Sequence, residues 1–441
     1  MKKLIPILFL ILFTFVLVNA QVPQGRVEIE FWFALTGPLG DATMKLVNDF
    51  NSSQNKYWVN AVYKGSYAEV MSAAIAAYRA GKAPHIVQIF EVGTATMMYS
   101  KAIYPVYQLF KDIGVPFDPK KYIPAVKDYY SYPDGRMAAM PFNSSTAVLW
   151  YNKDAFRKAG LDPNNPPKTW AEVRKASLEI VKKGAAKIGL SASWLPWTQF
   201  EQFGAIHNVP YATRWNGFLG LDARLALNHP LYIRHVQNLI DMQKEGSFTY
   251  GGRDAQPDGL FPSGEAAMLI ASSALYGRVS REAKFDWGIT YLPYYDDVPK
   301  APYNSIIGGA ALWVMRRPDA TIEHYKAVAE FFKFLGLPEN DAWWHMNTGY
   351  LPVTLDGYKH AKEQGFYKKN PFAEIPILQL TRTNPTPNTK GLRLGNLPSI
   401  RIVIYEEMEK ALQGQQSAKD TINNIVNRGN SILRDFEAIY K

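Results

Sequence analysis

From Val27 to Phe33, apolar Val27, Ile29 and Phe31 alternate with Glu28 and Glu30, and this period of two predicts a strand. From about Asp41 the spacing lengthens. Leu46, Val47 and Phe50 fall on one helical face. A second strand is predicted over 58–63 and a helix over 67–80, with Val70, Ala74, Ala77 and Tyr78 as its stripe and Gly81 as its stop. Ile86 to Phe90 reads as a short strand of the kind buried in a parallel sheet. Together these elements make a βαβαβ start.

The alternation restarts near Ala147. Thr169 and Glu172 have the spacing of a capping box, which opens a helix running to about Lys183. A strand over 188–191, a helix over 230–244 closed by Gly246, and an apolar strand over 266–271 follow, and Ser272-Ser273 is placed to open another helix. Ile306 to Met315 predicts a strand with Gly308-Gly309 inside it, and a helix begins at Asp319 with Tyr325, Val328 and Phe332 inward. Thr383 to Lys390 is rich in Pro, Asn and Thr and predicts an irregular loop. The last helix is capped by Ser417, with Ile422, Ile425, Ile432 and Phe436 as its stripe.

The N-terminus has a different pattern. Lys2 and Lys3 precede an apolar run from Leu4 to Val18, and Val18-Asn19-Ala20 supplies small residues for cleavage. This is the layout of a secretory signal peptide over 1–20. The run of about 15 residues is shorter than the ~20 that span a bilayer. The absence of cysteine excludes disulfides, thiolate metal sites, a cysteine nucleophile and a lipid-modified cysteine, so the expectation is a freely diffusing periplasmic protein.

A length of 441 residues is natural for two or three domains, and 47% hydrophobic with 20% charged residues is ordinary globular composition. The formal charge of +10, or +8 without Lys2 and Lys3, favours anionic solutes. Its lysines and arginines are dispersed, which argues against nucleic acid as a partner. The seven histidines form no close ligand pair, and neither a GxSxG elbow nor a GxxxxGK[ST] loop occurs. The adjacent acidic pairs Asp296-Asp297 and Glu406-Glu407 read as solvated surface. The expectation is therefore no metal, no cofactor and no catalytic group.

Several segments carry a resemblance. Phe261 to Met268 (FPSGEAAM) and Trp150 to Asp154 (WYNKD) resemble segments of the type II periplasmic binding proteins of ABC importers, in the maltose-binding cluster. Tyr63 to Tyr67, Glu91 to Met98, Pro141 to Thr146, Ile306 to Gly309, Thr348 to Pro352 and Lys390 to Asn396 are similar to the glycerol-3-phosphate-binding branch of that family. The matches run in order along nearly the whole chain after the signal.

The resemblance implies two α/β lobes with the ligand in the cleft between them. Lobe one would comprise 21–142 and 307–350, and lobe two 143–306 and 351–441. Crossings are expected near Ala139 to Ser144, Asn304 to Gly309 and Gly349 to Val353. It further implies ligand contacts at Tyr67, Glu91, Ser145, Ser272, Gly309, Tyr350 and Arg401, with Trp194 and Trp197 as cleft tryptophans. Arg401 is expected to hold the phosphate through two parallel bonds, and Glu91 to accept from the glycerol hydroxyls. The implied function is capture of glycerol-3-phosphate or a glycerophosphodiester by a monomer that delivers it to the transmembrane subunits of a permease. A neutral-oligosaccharide binder and a secreted carbohydrate hydrolase are the alternatives. The chain departs from the family wording at Phe33 and Thr36, where a His and a Glu are usual, and in the loop Asn384 to Asn388.

Overall fold

The computed structural model describes residues 22–441, so the signal-peptide segment lies outside the described residues. Two sheets organise the chain. The first has five strands in the order β2 (Tyr57–Tyr63), β1 (Val27–Phe33), β3 (Ile86–Phe90), β9 (Gly308–Val314), β4 (Met140–Ser145). The second has four, in the order β6 (Ile188–Ala192), β7 (Ala266–Ser272), β5 (Ala147–Asn152), β8 (Trp287–Thr290). The architecture is α/β, as expected.

β1 pairs in parallel with both β2 and β3, through the crossover helices Gly37–Ser53 and Tyr67–Arg79. The first helix begins four residues before Asp41 because Pro38 fits its first turn, where no amide is needed. It buries Leu46, Val47 and Phe50. The second opens on a capping box of Ser66 and Glu69. β3 is parallel on one side only, because β9 pairs with it in the antiparallel sense. Its central Gln88 is fully buried and hydrogen-bonded, donating to Asn143 Oδ1 at 2.8 Å and accepting from Ala34 N–H at 2.7 Å.

The Thr169–Glu172 box caps the helix Trp170–Lys182. Gly246, at φ +84°, closes Pro230–Glu245. Ser417 caps the final helix, Ala418–Tyr440. Two expected starts shift inward. β9 begins at Gly308 rather than Ile306, and the helix expected from Asp319 begins at Ile322, where Thr321 takes the capping position. β4 was not anticipated, since Pro141 interrupts the strand pattern. It is tolerated because β4 is the edge of its sheet.

After β4 the chain enters the second sheet through Thr146. Its hydroxyl donates to the Ile306 carbonyl at 2.8 Å and lies 2.8 Å from Ser305 Oγ. Leu351 N–H donates to the Ser144 carbonyl at 2.7 Å. The two segments that run between the sheets, before β5 and before β9, are thus hydrogen-bonded to each other, and Leu351 pairs with the end of β4 beside them.

Candidate functional site

A cavity of about 520 Å³ opens beyond the carboxyl ends of the strands. The segment after β1 and the first turn of the next helix (Ala34 to Leu39), Glu91 directly after β3, Ser145 at the end of β4, Ser272 at the end of β7 and Gly308-Gly309 at the start of antiparallel β9 all line it. This is where open α/β sheets place their ligands. Tyr67, Glu91, Ser145, Trp194, Trp197, Ser272, Gly309, Tyr350 and Arg401, scattered over more than three hundred positions, all face this one cavity. No group of three or more potential metal-ligating side chains occurs among the described residues.

The hydroxyls on its wall are oriented by the backbone behind them. Ala34 N–H donates to Gln88, Gln88 donates to Asn143, and Asn143 Nδ2 donates to Tyr67 Oη at 2.8 Å. With its oxygen already accepting, the Tyr67 hydroxyl directs its proton at the Tyr350 oxygen, which leaves the Tyr350 proton for a ligand. Its ring is stacked on Phe90, with centroids 5.5 Å apart and planes 8° apart. Ser272 Oγ accepts from Ala274 N–H at 3.1 Å, so its proton too is free to donate. Tyr350 stacks on Trp344 at 5.6 Å and is buried. Burial raises both tyrosines above the ordinary phenol range, which keeps them protonated donors.

The floor is a buried charge cluster. Arg401, on the helix Leu397–Leu412, donates from Nε to Glu201 Oε1 at 2.7 Å and from Nη2 to Glu201 Oε2 at 2.8 Å. Nη2 also donates to Glu91 Oε1 at 2.5 Å. The side chains are 7%, 1% and 5% exposed for Arg401, Glu201 and Glu91. Burial pulls the guanidinium down, but the two carboxylates outweigh it and hold its proton well above the ordinary range. Burial raises Glu91, against the pull of Arg401.

This geometry bears on the expected role of Arg401. Its Nε–Nη2 edge is taken by Glu201 and its Nη2 end by Glu91, which leaves only Nη1 of its five N–H donors' three nitrogens for a ligand. A two-bond phosphate contact on either edge would have to displace a carboxylate. Two carboxylates on one guanidinium also leave the floor with one formal negative charge. At an effective dielectric constant of about 20, that charge repels a phosphate monoanion about 6 Å away by roughly 3 kcal/mol.

The tryptophans sit on a distorted segment. Trp194 has φ +50°, a conformation rarely taken by a bulky side chain, and its N–H is held by the Asp254 carbonyl at 2.8 Å. Trp197 opens the wide turn Trp197–Glu201, in which Gln202 N–H reaches back five residues to the Trp197 carbonyl. Its indole lies over Gly308, where a Cβ would stand 2.4 Å from Cζ2. Trp194 and Trp197 therefore do not form the regular buried stripe that their spacing of three suggests.

Sequence reasoning missed Asn143, Glu201, Asp258 and the arginines of helix Tyr276–Glu282. Asp258, Arg278 and Arg281 line the cavity. Arg278 pairs with Glu282 at 2.9 Å. Burial pushes the Asp258 carboxyl up to about 6, with Ser193 and then Arg278 pulling the other way. The available signal for Glu201 was a lone acid in the largely uncharged stretch Leu195 to Ile206. Thr36, where the chain departs from the family wording, lines the cavity, whereas Phe33 is buried beside it.

The profile of the bacterial extracellular solute-binding protein family matches residues 45–373. The chain is 47% identical over 415 residues to the sn-glycerol-3-phosphate-binding periplasmic protein UgpB of Pectobacterium atrosepticum, covering 94% of this chain and 93% of that one. It is 46% identical to UgpB of Escherichia coli O1:K1, covering 94% of both. Among solved structures, UgpB of Mycobacterium tuberculosis in complex with glycerophosphocholine superposes with a TM-score of 0.78 at 25% identity, covering 93% of this chain and 99% of that one. The GacH receptor of Streptomyces glaucescens, at 18% identity and a TM-score of 0.76, shares the fold.

Proposed function

The chain belongs to the bacterial extracellular solute-binding protein family, and from that premise we propose that it captures sn-glycerol-3-phosphate or a glycerophosphodiester in the periplasm for an ABC importer. The relatives named for sn-glycerol-3-phosphate, and the neighbour that holds glycerophosphocholine, support this choice of ligand. The protein reaches the periplasm by its N-terminal signal, acts as a monomer, and hands the solute to the permease without turning it over.

One observation carries the reading. The same cavity holds hydroxyls with a proton left to donate, at Tyr350 and Ser272, and a floor that offers both a donor and an acceptor. An ionised phosphate only accepts, so it belongs with Ser145, Ser272 and Tyr350. A glycerol hydroxyl can accept from Arg401 Nη1 while donating to Glu91, so it belongs at the floor. Two lobes built on the two sheets, hinged at the segments around Ser145, Ile306 and Leu351, close over the ligand.

Calorimetric titration tests the proposal. Glycerol-3-phosphate or glycerophosphocholine should bind at micromolar strength, about −8 kcal/mol. Binding of maltotriose in place of both would overturn it.

A further inference from the structure

We infer that Glu201, a residue outside the cavity, sets what the floor recognises: it commits Arg401 to reading a hydroxyl and bars phosphate from it. The inference rests on the ligand class proposed above and adds the residue that orients the ligand within the cleft.

Arg401 alone would be a strong phosphate site, because its free edge could present two parallel N–H donors. Glu201 removes that edge by binding Nε and Nη2 together, at 2.7 and 2.8 Å. Glu91 then takes the remaining Nη2 proton. The donors left to a ligand are those of Nη1, beside the Glu91 carboxylate. An alcohol satisfies that pair by accepting from one and donating to the other, which an ionised phosphate cannot do. Glu201 also supplies the second carboxylate, without which the floor would be formally neutral. It therefore acts on both geometry and charge.

The fold places Glu201 for this task. It ends the wide turn that begins at Trp197, so the turn that sends an indole into the cavity also sends a carboxylate beneath it. Wide turns of this kind cluster at functional positions. Glu201 makes no ion pair other than with Arg401 among the described residues. It is a positioning residue, acting on the ligand through Arg401.

The test compares ligands on the parent protein and on two variants, each checked for folding by circular dichroism and thermal melting. The parent should bind glycerol-3-phosphate, and should bind 3-hydroxypropyl phosphate, which lacks the C2 hydroxyl, at least ~30-fold more weakly. Inorganic phosphate should bind more weakly still. In E201Q the floor loses its excess charge and Arg401 is loosened. The preference for glycerol-3-phosphate over inorganic phosphate should fall by at least ~10-fold. E201D keeps the charge and should keep that preference while losing overall affinity. Equal binding of glycerol-3-phosphate and its deoxy analogue by the parent would overturn the inference even if E201Q fails to fold. A folded E201Q with the parent's ligand ratio, meaning a merely structural role, would overturn it too. A parent that binds none of the phosphate esters would instead refute the ligand class.

Discussion

Arg401 and Glu91 meet at 2.5 Å in the floor of the cavity, from elements three hundred residues apart in the chain. Glu91 follows β3 of the first sheet, whereas Arg401 projects from a helix packed on the C-terminal helix Ala418–Tyr440. Their contact ties the two walls of the site together through side chains that are almost wholly buried. It also fixes where a ligand hydroxyl can enter.

Arg401→Ala should cost both stability and binding. It strands two buried carboxylates without their counter-charge, and breaking a buried pair in this way costs about 3–5 kcal/mol. Arg401→Lys should recover part of the stability, because one ammonium can reach a carboxylate but cannot serve both edges. Chemical denaturation of the three proteins checks the ranking, and an Arg401→Ala protein as stable as the parent would contradict the cluster.

Gly309→Ala should be among the most damaging single changes in the site. Gly309 has φ +91°, where an L side chain is strained, and its Cβ would stand 1.8 Å from the Asn143 carbonyl oxygen. The strain alone is worth about 1–3 kcal/mol, and the clash pushes β9 off β4 where Asn143 must aim at Tyr67. We expect a loss of at least about 2 kcal/mol in denaturant titration together with weakened ligand binding. Ala at Gly160, also at positive φ but with open space around it, is the control for backbone strain without a clash.

How far the sequence discloses this arrangement differs from element to element. β1 and β2 were legible because their apolar residues repeat where one face of the strand is buried, β3 because a short apolar run suits a strand buried on both faces, and the Thr169 and Ser417 caps because capping needs particular side chains at fixed spacing. β4 was hidden by Pro141 and by the polar run Asn143 to Thr146, all of it buried and much of it hydrogen-bonded to groups far away in sequence. The nine cavity residues came from resemblance, since no periodicity links Tyr67 to Arg401. Glu201 was illegible for a physical reason. A buried acid is expensive, and the cation that makes it tolerable lies two hundred residues away.

Small-angle scattering should register the proposed hinge. The segments around Ser145, Ile306 and Leu351 lie side by side, so a modest rotation there changes the separation of both sheets at once. Saturating glycerol-3-phosphate should reduce the radius of gyration, and Glu91→Ala, which removes the contact with Arg401, should enlarge the difference. An unchanged profile with ligand bound would rule out closure.

The affinity for a charged ester should depend on pH through Asp258. This carboxyl lines the cavity, and burial raises it to about 6 against the pull of Ser193 and Arg278. A phosphate in the same cavity disfavours its ionised form further, so the bound protein holds the proton to a higher pH than the free one does. Between those two values binding takes up a proton, and the complex tightens as pH falls. A phosphodiester of glycerol with an uncharged second alcohol isolates the effect, because its own charge stays at one across this range. Its affinity should be nearly constant from about pH 9 to pH 8 and rise several-fold on going from about pH 8 to pH 6. Titrations in two buffers of different ionisation enthalpy should show net proton uptake near the lower end. Asp258→Asn keeps the shape and cannot ionise, so it should bind the diester at pH 8 at least as tightly as the parent and lose most of the slope. Glu91 is also raised by burial, but Arg401 opposes its protonation, so the slope that survives in Asp258→Asn measures its share. A parent affinity that falls on acidification would show that Asp258 meets the ligand as a needed anion.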